Sequence, residues 1–274
     1  MNLNLLPFSN IPVVLPHVNL EWYRPHPLLQ KWIQCYWAIR FTSPPASLPS
    51  ENLYPDAGST LTIDFIENQL PEMYFNATNR LSKISFQHST DKIGIHFHPG
   101  GAFQMLGIEM ANVMGVEYKV NELNLLSICE LQESLASISE IAGRISQIDD
   151  WFLRQAMKIN PQQSYVQRLL QSFANNPASI EYLSQQLPLS RRQLERQFQL
   201  EVGIAPAKVK QLQQVKLARL LISKNPEIPM VQIATDTGFY DQPHFIKQFQ
   251  KVTEQTPGQY RQRKMSQKYN PNKD

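Results

Sequence analysis

Near its C-terminus the chain writes one segment twice. IEYLSQQLPLSRRQLERQFQLEVGIAP ends at Pro206, and MVQIATDTGFYDQPHFIKQFQKVTEQTP ends at Pro257. At an offset of 51, Ser190 matches Asp241, Leu194 matches Phe245, Phe198 matches Phe249, Gln199 matches Gln250 and Pro206 matches Pro257. Ser184 matches Ala234 at an offset of 50, so the turn of one copy is longer by one residue. Two copies are too few for a solenoid and instead suit a duplicated supersecondary unit.

Each copy reads as helix, tight turn, helix. In the first, Ser179 can cap a helix running to Gln186, and Ser190 with Gln193 makes the S-x-x-Q capping-box pattern for the next. In the second, Pro229 suits an early helical position, Gly238 suits the turn and Asp241 is a good N-cap. Leu194/Phe198 and Phe245/Phe249 are i,i+4 pairs, expected to be buried against the preceding helix. The opposite face of the first helix carries Arg192, Glu195, Arg196 and Gln199. That of the second carries Pro243, Lys247 and Gln250, flanked by Gln242 and His244. Arg can donate two hydrogen bonds to guanine and Gln can make two to adenine. One such face alone reads as ordinary solvated surface; the duplication and the turn signals turn the reading towards nucleic acid. Between the units, Pro206 to Ile222 reads as one helix with Leu212, Val215, Ala218 and Leu221/Ile222 along its apolar stripe. It would be about 25 Å long. A rigid connector of that size can hold two recognition helices in successive major grooves, roughly 34 Å apart.

Charge supports the same division. The net charge of the 274 residues is only +3. Residues 1–160 sum to −5 and residues 161–274 to +8, so only the back of the chain is suited to a polyanion. The length suggests about two domains. Asn160-Pro161 marks the expected boundary, giving a sensory or oligomerisation domain over 1–157, a DNA-binding domain over 160–264 and a disordered basic tail over 265–274. Ser164–Ala174 is the expected first helix of the second domain. No apolar run approaches the ~18–20 residues of a membrane span, and the N-terminus lacks the pattern of a signal peptide; the expectation is a cytoplasmic protein that meets no membrane.

The front half reads as strands from Trp22 to about Met114. Ser59–Ile66 alternates polar and apolar residues and Lys92–Phe97 does so less cleanly, while Pro44-Pro45 and Pro99-Gly100-Gly101 mark loops. Residues 28–38 suit either a buried strand or a short helix. From about Asn121, Leu131, Leu135, Ile138, Ile141, Ile145 and Ile148 recur at helical spacing and would close the domain or build a dimer face. Trp22, Trp32, Tyr36 and Trp37 are expected to be core rather than pocket. His96 and His98 share a strand face, but two imidazoles, even with Glu109 nearby in sequence, are not a metal site. Asp56 reads as a turn residue. Cys35 and Cys129 are expected to be reduced and buried.

Over residues 163–263, and most specifically in IATDTGFYDQPHFIKQFQKVTEQTPGQYR, the chain resembles the AraC/XylS family of transcription regulators. The resemblance implies a seven-helix domain with two helix-turn-helix motifs joined by a long helix. It implies base contacts from Arg192, Glu195 and Arg196 and from Gln242, Pro243 and Lys247, with phosphate contacts from residues such as Arg191, His244 and Lys251. Ser190, Gln193 and Gln199 complete the expected DNA-facing set. The chain departs from the family pattern where Pro188 replaces the first turn glycine, Gln214 a connector arginine, and Glu254 a glycine, so the second recognition helix is expected to end without the easy αL geometry. Pro243 is tolerated early in its helix but cannot hydrogen-bond a base. HPLLQKWIQCYWAIRF, LYPDAGSTLTIDF and IGIHFHPGGAFQMLGI resemble, more weakly, an uncharacterised α+β, cupin-like domain found on some AraC-like regulators.

The expected architecture is therefore an α+β N-terminal domain, β-rich and then helical, followed by an all-α C-terminal domain. The expected function is sequence-specific binding of double-stranded DNA, controlled through the N-terminal domain, with no catalysis and no cofactor. A small-molecule effector, RNA polymerase and a second copy of the chain are the further partners that the resemblance implies. The alternative is a ligand-binding or enzymatic N-terminal domain directed to DNA. AraC-like domains also occur on DNA-repair methyltransferases, but neither Cys35 nor Cys129 stands in a suitable reactive or zinc-binding context.

Overall fold

A computed structural model describes residues 20–41, 51–84, 90–123, 125–159, 164–175 and 187–269. Six strands form an antiparallel sheet: β1 (Leu20–Tyr23), β2 (Ile33–Phe41), β4 (Ser59–Asp64), β5 (Glu72–Ala77), β7 (Thr90–Phe97) and β8 (Glu117–Lys119). Their order is β1-β2-β7-β4-β5-β8. β3 (Glu51–Leu53) and β6 (Ser82–Ile84) make a separate two-stranded ribbon. The alternation in β4 sends Leu61 and Ile63 into the core while Thr60, Thr62 and Asp64 face outward. Asp64 pairs with Lys92 directly across the strands at 2.8 Å. Opposite Trp37, position 94 must be glycine, because a Cβ there would fall inside the indole ring.

The ambiguous run 28–38 is resolved as both readings in succession. A 3-10 turn over Pro27–Leu29, capped by the His26 side chain, leads into β2. Trp32 and Tyr36 are buried there, while Trp22 and Trp37 pair across β1 and β2 and are only partly covered. α1 (Gly101–Leu106) follows β7. α2 (Leu126–Ala136) and α3 (Ile141–Ala156) carry the helical stripe. Leu131, Leu135, Ile145 and Ile148 are buried in one cluster with the sheet residues, so this stripe closes the first domain.

The C-terminal region is helical throughout its described residues: α4 (Tyr165–Asn175), α5 (Arg191–Val202), α6 (Pro206–Lys224), α7 (Met230–Asp236), α8 (Gln242–Thr253) and α9 (Pro257–Tyr269). Ser164 caps α4 by accepting from the Gln167 N–H at 3.1 Å. The helix expected from Ser179 to Gln186 lies outside the described residues. Leu194, Phe198, Phe245 and Phe249 are buried in a second apolar cluster with Leu212, Val215, Ala218 and Ile222 of α6. The connector runs 19 residues, to Lys224, and is about 28 Å long. The last helix runs to Tyr269, five residues into the segment expected to be a disordered tail. No Gly or Pro interrupts residues 259–269, so nothing in the sequence stops the helix earlier.

Glu254 also departs from expectation. It ends α8 in the left-handed conformation, at φ 58°, where the first copy has Gly203 at φ 78°. The Thr253 hydroxyl steadies the corner: it lies 2.9 Å from both the Phe249 and the Gln255 carbonyls, its one proton serving either, and accepts from the Gln255 N–H. A side chain at such a φ costs about 1–2 kcal/mol that glycine avoids. Glu254→Gly should therefore stabilise the protein by about 1 kcal/mol, allowing for the extra entropy glycine loses on folding. Denaturant melts of the two proteins measure this directly.

Candidate nucleic-acid interface

The two helices with polar outer faces, α5 and α8, begin with well-formed caps. The Ser190 side chain accepts from the Gln193 N–H, and the Gln193 side chain accepts from the Ser190 N–H at 2.8 Å, completing the capping box. Asp241 accepts from the His244 N–H at 2.7 Å, leaving Gln242 and Pro243 as the first two residues of α8. Gly238 takes the turn at φ 74°. In the first unit Leu187 and Leu189 pack on the helical core around the exposed Pro188.

Buried Leu194 and Phe198 fix which face of α5 looks outward. Ser190, Arg191, Arg192, Gln193, Glu195, Arg196 and Gln199 are all exposed. Buried Phe245 and Phe249 do the same for α8, exposing Gln242, Pro243, His244, Lys247, Gln250 and Lys251. Every residue of the expected DNA-facing set is thus open to solvent. Arg191 makes an exposed i,i+4 pair with Glu195 at 3.1 Å, which holds it only weakly. Arg191 and Arg192 stand in the first turn of α5, which itself holds no acidic residue. Cations at the positive end of the helix dipole are unfavourable by roughly 0.3–1 kcal/mol each, and an anion docked there reverses the sign. Gln214, in place of the usual connector arginine, donates to the Gly238 carbonyl at 2.8 Å and ties α6 to the second turn.

The structure also reveals a set of residues that sequence reasoning missed. The turn after β3 reaches across to the connector. Asp56 Oδ2 accepts from Lys216 Nζ at 2.6 Å and meets His96 Nε2 at 3.0 Å. Lys216 also donates to Gln34 Oε1 at 2.9 Å, and Gln213 donates to the Asp56 carbonyl at 2.6 Å. Asp56 is the expected turn residue as well, since its Oδ1 accepts from the Gly58 N–H. His96 is held on its other nitrogen by Thr60 at 2.9 Å. Burial drives the Asp56 carboxyl upward, but Lys216 and His96 outweigh it and hold the group well below the usual carboxylate range. Tyr54 lies under the Arg219 guanidinium, 3.8 Å from its ring centroid, and edge-on to Tyr260. Its hydroxyl accepts from Arg263 at 2.7 Å and from Gln255 at 3.3 Å. Glu201, near the end of α5, accepts from Ser164 at 2.8 Å; burial raises its pKa despite that bond and one from Gln104. Cys35 is buried, whereas Cys129 is exposed, contrary to expectation, because it lies on the outer side of α2.

His98 gives this junction a pH dependence. Burial, with Lys216 and His96 nearby, pushes its imidazole from the usual 6.5 down to about 4. The unfolded chain therefore takes up a proton near pH 6.5 that the folded one refuses until about pH 4. Stability is complete above pH 6.5 and declines as the pH falls through that window. The Asp56 contribution is lost only below about pH 4, where a free carboxyl begins to protonate. His98→Asn should flatten the fall in melting temperature between pH 6.5 and 4 relative to the unaltered chain. Parallel slopes would contradict that account.

Comparison with known proteins finds matches in both halves of the chain. Residues 183–263 match a family model described as a helix-turn-helix domain, and residues 21–117 match a domain of unknown function, DUF6597. The chain is 34% identical over 73 residues to the HTH-type transcriptional regulator MtrA of Neisseria gonorrhoeae, covering 27% of this chain and 24% of that protein. It is 27% identical over 129 residues to the HTH-type transcriptional regulator AlkR of Acinetobacter baylyi, covering 47% of this chain and 42% of that protein. The matches thus span less than half the length of these curated relatives. The crystal structure of ToxT from Vibrio cholerae O395 aligns over 89% of this chain and 97% of its own, with 11% identity and a TM-score of 0.41. The chain therefore carries a helix-turn-helix domain at residues 183–263, behind a region that matches DUF6597.

Proposed function

We propose that the chain is a sequence-specific transcription regulator that reads double-stranded DNA with α5 and α8 in successive major grooves. The observation that carries this reading is the pair of capped helices, each anchored by a buried i,i+4 pair, α5 exposing Arg and Gln and α8 exposing Lys and Gln. Arg192, Glu195 and Arg196 are assigned to base edges in one groove, and Gln242 and Lys247 in the next, with Pro243 offering only an apolar contact. Arg191, His244 and Lys251 are assigned to phosphates, with Ser190, Gln193 and Gln199 along the same face. The domain division falls between α3 and α4, and RNA polymerase and a small-molecule effector are assigned as further partners. A second copy of the chain is also assigned, so that a dimer would bind a repeated operator. The role is regulatory rather than catalytic. The described residues contain no helix long and apolar enough to cross a membrane, in keeping with action in the cytoplasm.

Selection of duplexes from a random pool by the full-length chain tests the reading. A defined sequence should be enriched, with binding that weakens steeply as salt rises. Recovery of no duplex above random at low salt would sink it. On the selected duplex, Arg192→Ala and Arg196→Ala should each cost about 1–3 kcal/mol and relax preference at one base position. Lys251→Ala should weaken all sequences alike and lower the salt slope by about one.

A further inference from the structure

The N-terminal domain touches both helix-turn-helix units and the helix between them. On the first unit, Gly203 at the end of α5 lies against Met110 and Met114, and Glu201 reaches Ser164 and through it Gln104 of α1. On the connector, Asp56 and Gln34 hold Lys216, while the Asp56 carbonyl holds Gln213. On the second unit, Tyr54 meets Tyr260 and Arg263 of α9 and Gln255 at the end of α8, with Arg219 of α6 stacked on its ring. Ala57, beside them at φ 66°, is buried in the apolar cluster of the helical domain rather than its own. None of these contacts uses a residue of the exposed α5 or α8 faces. The N-terminal domain therefore sits behind the recognition helices and leaves their outer faces open.

We infer that Tyr54 and Asp56 are positioning residues for DNA reading, and that they set the spacing between the two half-sites the protein accepts. This rests on the DNA-binding reading above. Within the helical domain, the direct ties from α6 to the second unit include the bonds Gln211–Gln248 and Gln214–Gly238. A swing of about 7° at one end of a ~28 Å connector displaces the far unit by roughly 3.4 Å, the rise of one base pair. Reading two grooves in fixed register thus demands that the second unit be held within a few degrees. The Tyr54–Gly58 turn supplies that restraint from outside, gripping α6 at its middle and α9 alongside. The partners are strong and directional: a largely covered carboxylate on an ammonium, and a phenol stacked under one guanidinium and bonded to another.

The test uses the full-length chain and the duplex recovered by selection. It also uses duplexes whose half-sites are separated by one or two additional base pairs, and a duplex with a single half-site. Tyr54→Phe keeps the ring and removes the hydroxyl bonds; Asp56→Asn keeps the size and removes the charge; the double variant removes both restraints. The unaltered chain should lose at least tenfold in affinity on insertion of one base pair. The double variant should lose no more than about threefold, the single variants falling between, with single-half-site affinity within twofold throughout. Retention of the full tenfold penalty by the double variant overturns the inference and leaves the DNA-binding reading intact. An equal loss on every duplex, half-site included, also overturns it, because that is general damage to the fold. Failure of the unaltered chain to retain any duplex overturns both.

Discussion

The connector α6 is the constraint on which the rest of the molecule depends. A helix packed on one side needs a single apolar stripe, and Leu212, Val215, Ala218 and Ile222 supply it to the helical core. Yet Pro206, Val209, Arg219 and Leu220 are buried as well, and Lys216 is mostly covered. Eight of its nineteen residues are withdrawn from water, on more than one side. The second side is filled by the turn from the first domain. One helix is therefore part of the DNA-binding domain's core and also the surface on which the other domain is seated.

The polar character of that second contact has consequences of its own. Burying Asp56 and Lys216 together recovers little net energy, because each loses its water before gaining the other. The depressed carboxyl shows that the local field favours the ion pair once formed. Removing one partner is then costly, since the other is left charged and poorly solvated. An apolar contact of similar area would tolerate sliding along α6. A carboxylate held at once by Lys216, by His96 and by the Gly58 N–H does not. Such contacts add more to geometric definition than to stability, and definition is what two recognition helices in register require.

The helical domain was legible because its signals are local. N-caps, turn residues and buried i,i+4 pairs act within a few residues, and the duplication gave each copy an N-cap, at Ser190 and Asp241, and such a pair, Leu194/Phe198 and Phe245/Phe249. The exposed faces followed from the buried ones, so every expected contact residue emerged at the surface. The sheet was legible in β4, where alternation is strict, and less so in residues 28–38, where a 3-10 turn and a strand meet without a breaker. What could not be read was the seam. Asp56 carried a complete local explanation as a turn residue, and nothing nearby in sequence points to Lys216, 160 residues away. The available signal lay in α6 itself, whose buried positions exceed what one stripe can use. Glu254 was misjudged for the converse reason: the αL corner is imposed by packing on both sides of it, with the Thr253 hydroxyl compensating for the missing glycine.

The charge division follows from the same seam. With −5 on residues 1–160, the front of the chain would be repelled by a phosphate backbone if it lay beside the recognition helices. Seated behind them, it keeps that charge from the face that carries Arg192, Arg196 and Lys247. At the junction the acid of the first domain meets the base of the second, as Asp56 with Lys216. Glu201 and Arg219 are buried there as well, the latter stacked on Tyr54. The acidic front and basic back thus do two things with one asymmetry. It orients the domains towards each other through a few desolvated groups, and it leaves the remaining positive charge on the side where a duplex would lie.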